Sequence, residues 1–420
     1  MLKRKLGRGV AVVGAGMSHF GVFPAKTSRD LFAEALVALR ATVDRGLDPQ
    51  QIEALYVGCF NSELFEGQGQ IAPLLAEWVG LAPRPATRIE SACASGGVAL
   101  RQGLLAIAAG LYDVVLVGGV EKMSSLPLES VTAALATAAD TLYELPAGFT
   151  FPGLYAAMAS AYFAHYQSDP ALLMEITIKS HANGALNPKA QFGQTIAQVM
   201  ERARQKAIDT GQLAPVWQDE HDFLRDERAN PLIAAPLRLF DCSPITDGAA
   251  AVLLVAEELA GAFSDAPLYV IGSGQASAGA LHSRDSLVSI QAARVAANEA
   301  YAMAGVQPGD IQLAEVHDCF TIAEAIALED LGICPPGFGL AAAREGITGR
   351  AGPCPINTSG GLKAKGHPVG ASGIGQVVEI WQQMRGEAGP RQVARSVELA
   401  LAHNVGGTGQ SCAVHIFERR

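Results

Sequence analysis

The sequence has no C-x-x-C pair, no H-x-x-x-H spacing, no cluster of lysine and arginine beyond its first residues, and no uninterrupted apolar run of membrane length. Each absence closes a class of function. The seven cysteines, Cys59, Cys93, Cys242, Cys319, Cys334, Cys354 and Cys412, are scattered and odd in number, which argues against a disulfide framework or a zinc cluster and fits reduced thiols in a cytoplasm. With a formal charge of -10, the chain lacks the clustered positive charge that phosphate backbones require, so no nucleic-acid partner is expected. The basic opening "MLKRKLGRG" reads as a solvated tail. The most apolar stretch, "GLLAIAAGLYDVVLVGGV", is broken by Asp113 and ends in a glycine pair, so no membrane span is expected. "GVAVVGAGMSHFG" lacks the apolar core and cleavage pattern of a signal peptide, and its glycines miss the G-x-G-x-x-G spacing of a dinucleotide loop.

What is present is a chain of 420 residues, 49% hydrophobic, long enough for two or three domains with a substantial core. β-Branched runs alternate with helical patterns: "GVAVVGAG", "SRDLFAEALVALRATVDRG", "IEALYVGCF", "QGQIAPLLAEWVG". Such alternation indicates βαβ units and a largely parallel sheet covered by helices, an α/β fold. After "GGVEKMSS" come roughly 120 residues with many breakers and few strands, long for a connection inside a compact domain. They read as an inserted loop domain over 126–244. The α/β pattern resumes in "DGAAAVLLVAEE", and the second half repeats the order of the first, with "CASGGVALRQGLLAIAAG" answered by "HPVGASGIGQVVEIWQQMRG". The chain therefore divides into one half over 1–125 plus 245–260 and another over 261–420. Duplication brings the starts of two helices, one per half, close to a pseudo-twofold axis, a natural place for a shared site.

Three stretches carry candidate chemistry. Cys93, in "ESACASGGVAL", lies at a strand-to-helix turn, where the helix dipole and unpaired N–H groups lower a thiol pKa and small neighbours leave room for an acyl group. It is a candidate nucleophile, against the alternative of a buried structural cysteine. His367, in "GLKAKGHPVGASG", sits just before a helix opened by Pro368, as a hydrogen-bond donor to a developing oxyanion or as a capping residue. "HDCF" at 317–320 also occupies a strand-to-helix turn. Adjacent side chains cannot all face one ion, so no metal site is expected there. A histidine that donates and a thiol, Cys319, that takes and returns a proton suit carbanion chemistry, while Asp318 suits a cap or structural partner. The amides of "AHNVGGTG" offer an anion nest or only a tight turn.

In this order and along essentially the whole chain, these segments resemble the thiolase family. "SACASGG" looks like its nucleophile motif, "GGVEKMSS" its Gly-Gly-x-Glu-x-Met-Ser segment, "DGAAAVLL" its Asp-Gly-Ala-Ala strand, and "NTSGGLKAKGHPVGASG" its Gly-His-Pro segment. The resemblance implies the thiolase fold, two βαβαβαββ halves in a five-layered α-β-α-β-α arrangement, with a loop domain holding the pantetheine arm of coenzyme A. Two departures place the chain nearer the sterol-carrier-protein-2-type thiolases and archaeal-type acetyl-CoA acetyltransferases: His317-Asp318-Cys319-Phe320 stands for Asn-Glu-x-Phe, and His403-Asn404 stands where others keep a second catalytic cysteine. In that branch the thiol of HDCF is thought to replace it. No sterol-carrier domain is expected after the last strand.

The resemblance implies a ping-pong acyl transfer with CoA thioesters as substrates and no permanently bound cofactor. Cys93 is expected to carry the acyl group and Cys319 to take the methyl proton of a second acetyl-CoA. His317 and His367 are expected to donate to the enolate oxygen, and the N–H groups of Cys93, Val405, Gly406 and Gly407 to hold the tetrahedral oxyanion. Ser243, in "FDCSPITDGAA", falls where thiolases keep a serine near pantetheine. A homodimer or dimer of dimers is expected, and archaeal-type relatives add HMG-CoA synthase and a small OB-fold scaffold protein as partners. Alternatives are a lyase or acyltransferase for a bulky steroid or aromatic acyl-CoA, and a non-catalytic CoA-binding subunit.

Overall fold

The computed structural model describes residues 6–420. Of the basic N-terminal stretch, residues 1–5 lie outside the described residues. Arg8 corrects the expectation of a solvated tail: its guanidinium bridges Asp113 at 2.7 Å and Glu258 at 2.5 Å.

The first half contains strands β1 (Val10–Met17), β2 (Ala54–Gly58), β3 (Ala86–Ile89), β4 (Val114–Glu121) and β5 (Gly248–Ala256), with helices α1 (Ser28–Arg40), α2 (Ile71–Trp78) and α3 (Ser95–Ala108) between them. The second contains β6 (Leu268–Ser277), β7 (Leu313–Glu315), β8 (Leu399–Gly406) and β9 (Ser411–Arg419), with α4 (Gln291–Ala304), α5 (Thr321–Asp330), a short α6 (Gly361–Ala364) and α7 (Ser372–Arg385). The strands run β3-β2-β4-β5-β1-β6-β9-β8-β7, a palindrome about the β1–β6 junction. In each half the first strand lies antiparallel to the last, and the second pairs in parallel with the last but one, so the sheet is mixed rather than largely parallel as expected. β1 and β6 meet through two residue pairs only, Ala11 with Tyr269 and Val12 with Leu268, and this short ladder joins the halves into one nine-stranded sheet. The equivalent of β3 in the second half is reduced to a single parallel bridge from Ala314 to Ile356.

Helix placement follows from which faces are apolar. β4 and β5 are buried along their whole length, so both faces need cover. On one side Leu31, Phe32 and Leu36 of α1 and Leu75 of α2 form a core with Val13, Leu116 and Leu253. Between the halves Leu100 and Leu104 of α3 meet Val377 and Trp381 of α7. Outside the second half Ala296 and Ala300 of α4 pack with Ile322 and Ile326 of α5. The result is the five-layered α-β-α-β-α arrangement expected. Residues 126–244 contribute helices Leu128–Ala136, Phe151–Tyr166, Leu173–Gly184, Ile196–Asp209 and Glu220–Arg225 and a small hairpin, Leu232–Ala234 with Leu237–Arg238.

The glycine-rich motifs serve the central layer. A Cβ on Gly119 would lie 2.3 Å from the Gly370 carbonyl oxygen, and one on Gly96 would lie 2.8 Å from the same atom. The small residues after Cys93 therefore permit the two halves to touch, rather than making room for an acyl group as expected. The two acidic motif residues hold loops beneath this contact. Glu121 accepts from the Phe60, Asn61 and Gly370 N–H groups at 2.8, 3.1 and 2.9 Å, and Asp247 accepts from Met123 and Ser124, both at 2.8 Å. Burial pushes the Glu121 carboxyl up to about 7. Among the described residues no helix is long and apolar enough to cross a membrane.

Candidate active site

Cys93 sits in a one-turn 3-10 helix, Ala92–Ala94, immediately before α3. The turn is tight: Ala92 has φ 48°, in the left-handed region that a residue with a Cβ seldom adopts. Ser95 holds it closed, accepting from the Ser91 N–H at 2.9 Å and donating to the Ala92 carbonyl at 2.6 Å. Cys93 is thereby half-buried at the start of the central helix, with its side chain on a cavity.

From the other half, the equivalent turn carries His367. Pro368 precedes a 3-10 turn, Val369–Ala371, and α7 begins only at Ser372, so the histidine lies further from the helix start than its sequence suggests. Its Nδ1 lies 2.6 Å from Ser372 Oγ, while that hydroxyl donates to the Pro368 carbonyl at 2.9 Å.

The HDCF stretch runs from β7 into α5. Asp318 does not cap its own helix. It accepts from the Leu362 N–H at 2.7 Å, at the start of α6, and so ties the HDCF turn to the segment that carries His367. Gly361 has φ 61°, and a Cβ there would meet Asp318 Oδ2 at 2.1 Å, which explains a glycine at this point of "SGGLKAKGHP". Burial, with Glu324 nearby, pushes the Asp318 carboxyl up to about 7. Neighbouring His317 is fully buried, and its ring stands edge-on to His367 with centroids 5.1 Å apart.

These turns converge. Cys93 Sγ and one ring nitrogen each of His317 and His367 all lie within 4.8 Å of one another. A cavity of about 720 Å³ opens beside them, lined by Cys93, Cys319, Phe320, His367 and Gly407 and walled by apolar side chains such as Leu128, Leu135 and Phe149. That volume is within the usual range for a small-molecule pocket. Ser243 lines it too, its N–H donating to the Cys319 carbonyl at 2.9 Å. Of the closing turn, only Gly407 lines the cavity; Val405 and Gly406 continue β8, paired with Cys412 and Ser411, because the chain turns only at Gly407. His317 does not line it directly. A cysteine and two histidines this close are a donor set for a metal ion. His317, however, has its Nδ1 3.2 Å from the Asn404 amide nitrogen, a donor, where a metal-bound imidazole needs an acceptor for its second N–H. The trio suits proton chemistry instead.

Two positions carried no role in the sequence reading. Tyr155, on the helix Phe151–Tyr166, donates to the Gly407 carbonyl at 3.0 Å and stacks on Phe320 with centroids 4.6 Å apart. It buttresses both turns, and nothing in the irregular pattern around it marks it out. Asn404 donates to the Cys93 carbonyl at 2.9 Å and accepts from the Gly97 N–H at 3.0 Å. Its pairing with an adjacent histidine in a glycine-rich turn was the available signal.

Burial is the largest influence on every ionisable group of the site, and it favours the neutral forms. Burial pushes the Cys93 thiol up to about 12, offset in part by hydrogen bonds from the Gly407 and Cys93 N–H groups. This reverses the sequence expectation of a lowered pKa, because desolvation outweighs the end of one short helix turn. Burial and the adjacent Cys93 raise the Cys319 thiol well above its ordinary value. Burial, followed by Lys365, lowers His367 to about 3, and burial with His367 and His403 holds His317 well below the normal histidine range. Only the thiolate alkylates, and a raised thiol pKa leaves it scarce until high pH. Iodoacetamide modification of Cys93 in the free enzyme is therefore expected to accelerate about tenfold per pH unit between about pH 7 and about pH 10. A plateau near neutrality, followed by peptide mass mapping, would show a preformed thiolate instead.

A cysteine at a helix start, a histidine and a second thiol on one apolar cavity, with another histidine behind them on this duplicated fold, are the groups an acyltransferase needs. Residues 10–258 match the thiolase N-terminal domain family and residues 273–419 the thiolase C-terminal domain-like family. The chain belongs to the thiolase family. It is 43% identical to an acetyl-CoA acetyltransferase of Methanothermobacter thermautotrophicus, over 98% of this chain and all of that protein. It is 30% identical to sterol carrier protein 2 of Rattus norvegicus, over 97% of this chain and 71% of that one. Among solved structures, an assembly described as Ltp2-ChsH2(DUF35) aldolase superposes with a TM-score of 0.78 at 23% identity, covering 98% of both chains. In keeping with its family, the protein uses CoA thioesters as substrates rather than a resident cofactor.

Proposed function

We propose that the protein condenses two acetyl-CoA molecules to acetoacetyl-CoA and catalyses the reverse thiolysis through an acyl-Cys93 intermediate. The observation that carries this is the meeting of Cys93, Cys319 and His367 on one apolar cavity, with His317 behind them. The identity to an archaeal acetyl-CoA acetyltransferase supports acetyl-CoA as substrate.

Proton balance follows from two thiols that are neutral at rest. Cys93 attacks the thioester as its proton passes to His367, whose low pKa leaves it free to accept. The departing CoA thiolate takes the proton of Cys319. This leaves a Cys319 thiolate beside a His367 imidazolium, an ion pair that offsets the cost of a buried charge. The thiolate removes a methyl proton from the second acetyl-CoA, the enolate carbon attacks acyl-Cys93, and the expelled Cys93 thiolate recovers its proton from His367. His317 and the imidazolium donate to the enolate oxygen; the Cys93 and Gly407 N–H groups receive the tetrahedral oxyanion. In this reading residues 126–244 form the loop domain, whose wall holds pantetheine near Ser243.

The reading includes a cytoplasmic location and a homodimer or dimer of dimers. It also includes a complex with an HMG-CoA synthase and an OB-fold scaffold, since condensation is uphill and needs product withdrawal. The description of one structural neighbour as an assembly with a DUF35 protein supports a partner. The deciding experiment is thiolysis, followed by loss of enolate absorbance. Acetoacetyl-CoA is expected to be cleaved faster than longer 3-ketoacyl-CoAs; turnover of bulky acyl-CoAs alone would overturn the assignment.

A further inference from the structure

The reaction above asks opposite things of two neutral imidazoles. His367 must present a bare nitrogen to accept the Cys93 proton, whereas His317 must present an N–H to a thioester oxygen. A neutral imidazole has one proton, and which nitrogen bears it is set by the partner of the other.

Counting hydrogens at the two rings resolves this. The Ser372 hydroxyl has one hydrogen, and it goes to the Pro368 carbonyl at 2.9 Å, an atom that can only accept. With its hydrogen placed there, beside the Ala371 and Ser372 N–H groups that donate to the same carbonyl, the hydroxyl oxygen faces His367 Nδ1 at 2.6 Å as an acceptor, which puts the proton on Nδ1 and leaves Nε2 bare. At His317 the order is reversed. The Asn404 amide is oriented at both ends: its oxygen accepts from the Gly97 N–H at 3.0 Å, and its nitrogen donates to the Cys93 carbonyl at 2.9 Å. The second amide hydrogen is left for His317 Nδ1 at 3.2 Å, which must be the unprotonated nitrogen. The proton then sits on His317 Nε2, a buried atom with no hydrogen-bond partner among the described residues. An unpaired buried donor costs stability, and this one belongs to the ring that lies within 4.8 Å of Cys93 Sγ.

We infer that Asn404 and Ser372 are positioning residues that hold His317 and His367 in opposite tautomers in the resting enzyme, His317 as a donor and His367 as the acceptor of the Cys93 proton. Both devices belong to the second half of the duplicated fold: Asn404 reaches from β8 to the Cys93 turn of the first half, and Ser372 opens α7. The inference rests on the proposed acyl transfer for its catalytic meaning, but not for its measurement.

The test uses the full-length protein labelled with 15N-histidine, with His317→Asn and His367→Asn variants to assign the ring signals. In the wild type, long-range ring correlations are expected to show His317 protonated at Nε2 and His367 at Nδ1; either ring in the other tautomer overturns the inference. Asn404→Asp keeps an acceptor for the Gly97 N–H but offers His317 a carboxylate oxygen, so the His317 proton is expected to move to Nδ1. With radiolabelled and deuterated acetyl-CoA, methyl proton exchange in that variant is expected to fall about 10²–10³-fold further than Cys93 acylation, the loss of one oxyanion donor, while acylation itself slows because the carboxylate no longer donates to the Cys93 carbonyl. An equal fall in both rates, or a tautomer unchanged by the substitution, would mean a merely structural role. Because the wild-type spectrum is decisive by itself, an unstable variant does not leave the question open. Correct tautomers without any acetyl exchange in the wild type would count against the proposed substrate and leave the positioning intact.

Discussion

A Cys93→Ala protein is expected to take no covalent label from radiolabelled acetyl-CoA and to lose turnover by a factor on the order of 10⁶, the scale of removing a covalent nucleophile from an assembled site. Three features set this expectation. Cys93 alone among the cavity thiols sits on a strained turn at a helix start, has two N–H groups directed at its sulfur, and lies within 4.8 Å of both histidines. Cys319 and Cys242 also line the cavity, and burial raises their thiols as it raises that of Cys93. Neither lies in the trio with both histidines. Label at full stoichiometry on Cys93→Ala would remove this residue from the mechanism. Cys93→Ser is expected to fare little better, because an alcohol is a far weaker acid than a thiol and the site supplies only a histidine with a pKa of about 3 as base.

Cys319→Ala is expected to behave differently. It should label to full stoichiometry, because the His367 imidazolium formed during acylation remains available to protonate the departing CoA. What it should lose is exchange of the acetyl methyl protons with solvent, by about 10²–10⁴-fold, the usual worth of a positioned general base. No described group stands ready to replace it. Tyr155 is close, but burial raises it well above the ordinary phenol range, and its hydroxyl donates to the Gly407 carbonyl. His403, at the position where other thiolases keep a cysteine, is fully buried, and its Nδ1 faces the His317 main-chain N–H at 3.4 Å. Unchanged exchange in Cys319→Ala would end its role as base.

The duplicated α/β architecture was legible because its signals are local and periodic. Apolar runs such as "VVLVGGV" and "GAAAVLLVA", short, rich in valine and bounded by turn residues, form strands buried on both faces, and the repeated order of elements points to their symmetry. The Ala314–Ile356 bridge was not legible, since one residue pair leaves no pattern. The small residues after Cys93 were misread for a related reason. A glycine in sequence says only that a Cβ is excluded, and whether a ligand or the other half of the protein excludes it is a tertiary fact. Here Gly370 and Asn404 occupy that space.

The candidate site divides along the same line. Identity of the reactive groups, two thiols and two imidazoles at strand-to-helix turns, follows from residue types and their place in the pattern of elements. Their protonation does not. The sequence places Cys93 at a helix start and suggests a thiolate, but the fold closes both halves over it, and desolvation reverses the sign of the shift. Nor does residue order say which histidine nitrogen holds the proton. That depends on Asn404 and Ser372 meeting rings 87 and 5 positions away, one from the neighbouring strand of the same half and one from the start of the next helix. Charge and tautomer answer to the atoms within a few ångströms in space, and only the tertiary packing decides which atoms those are.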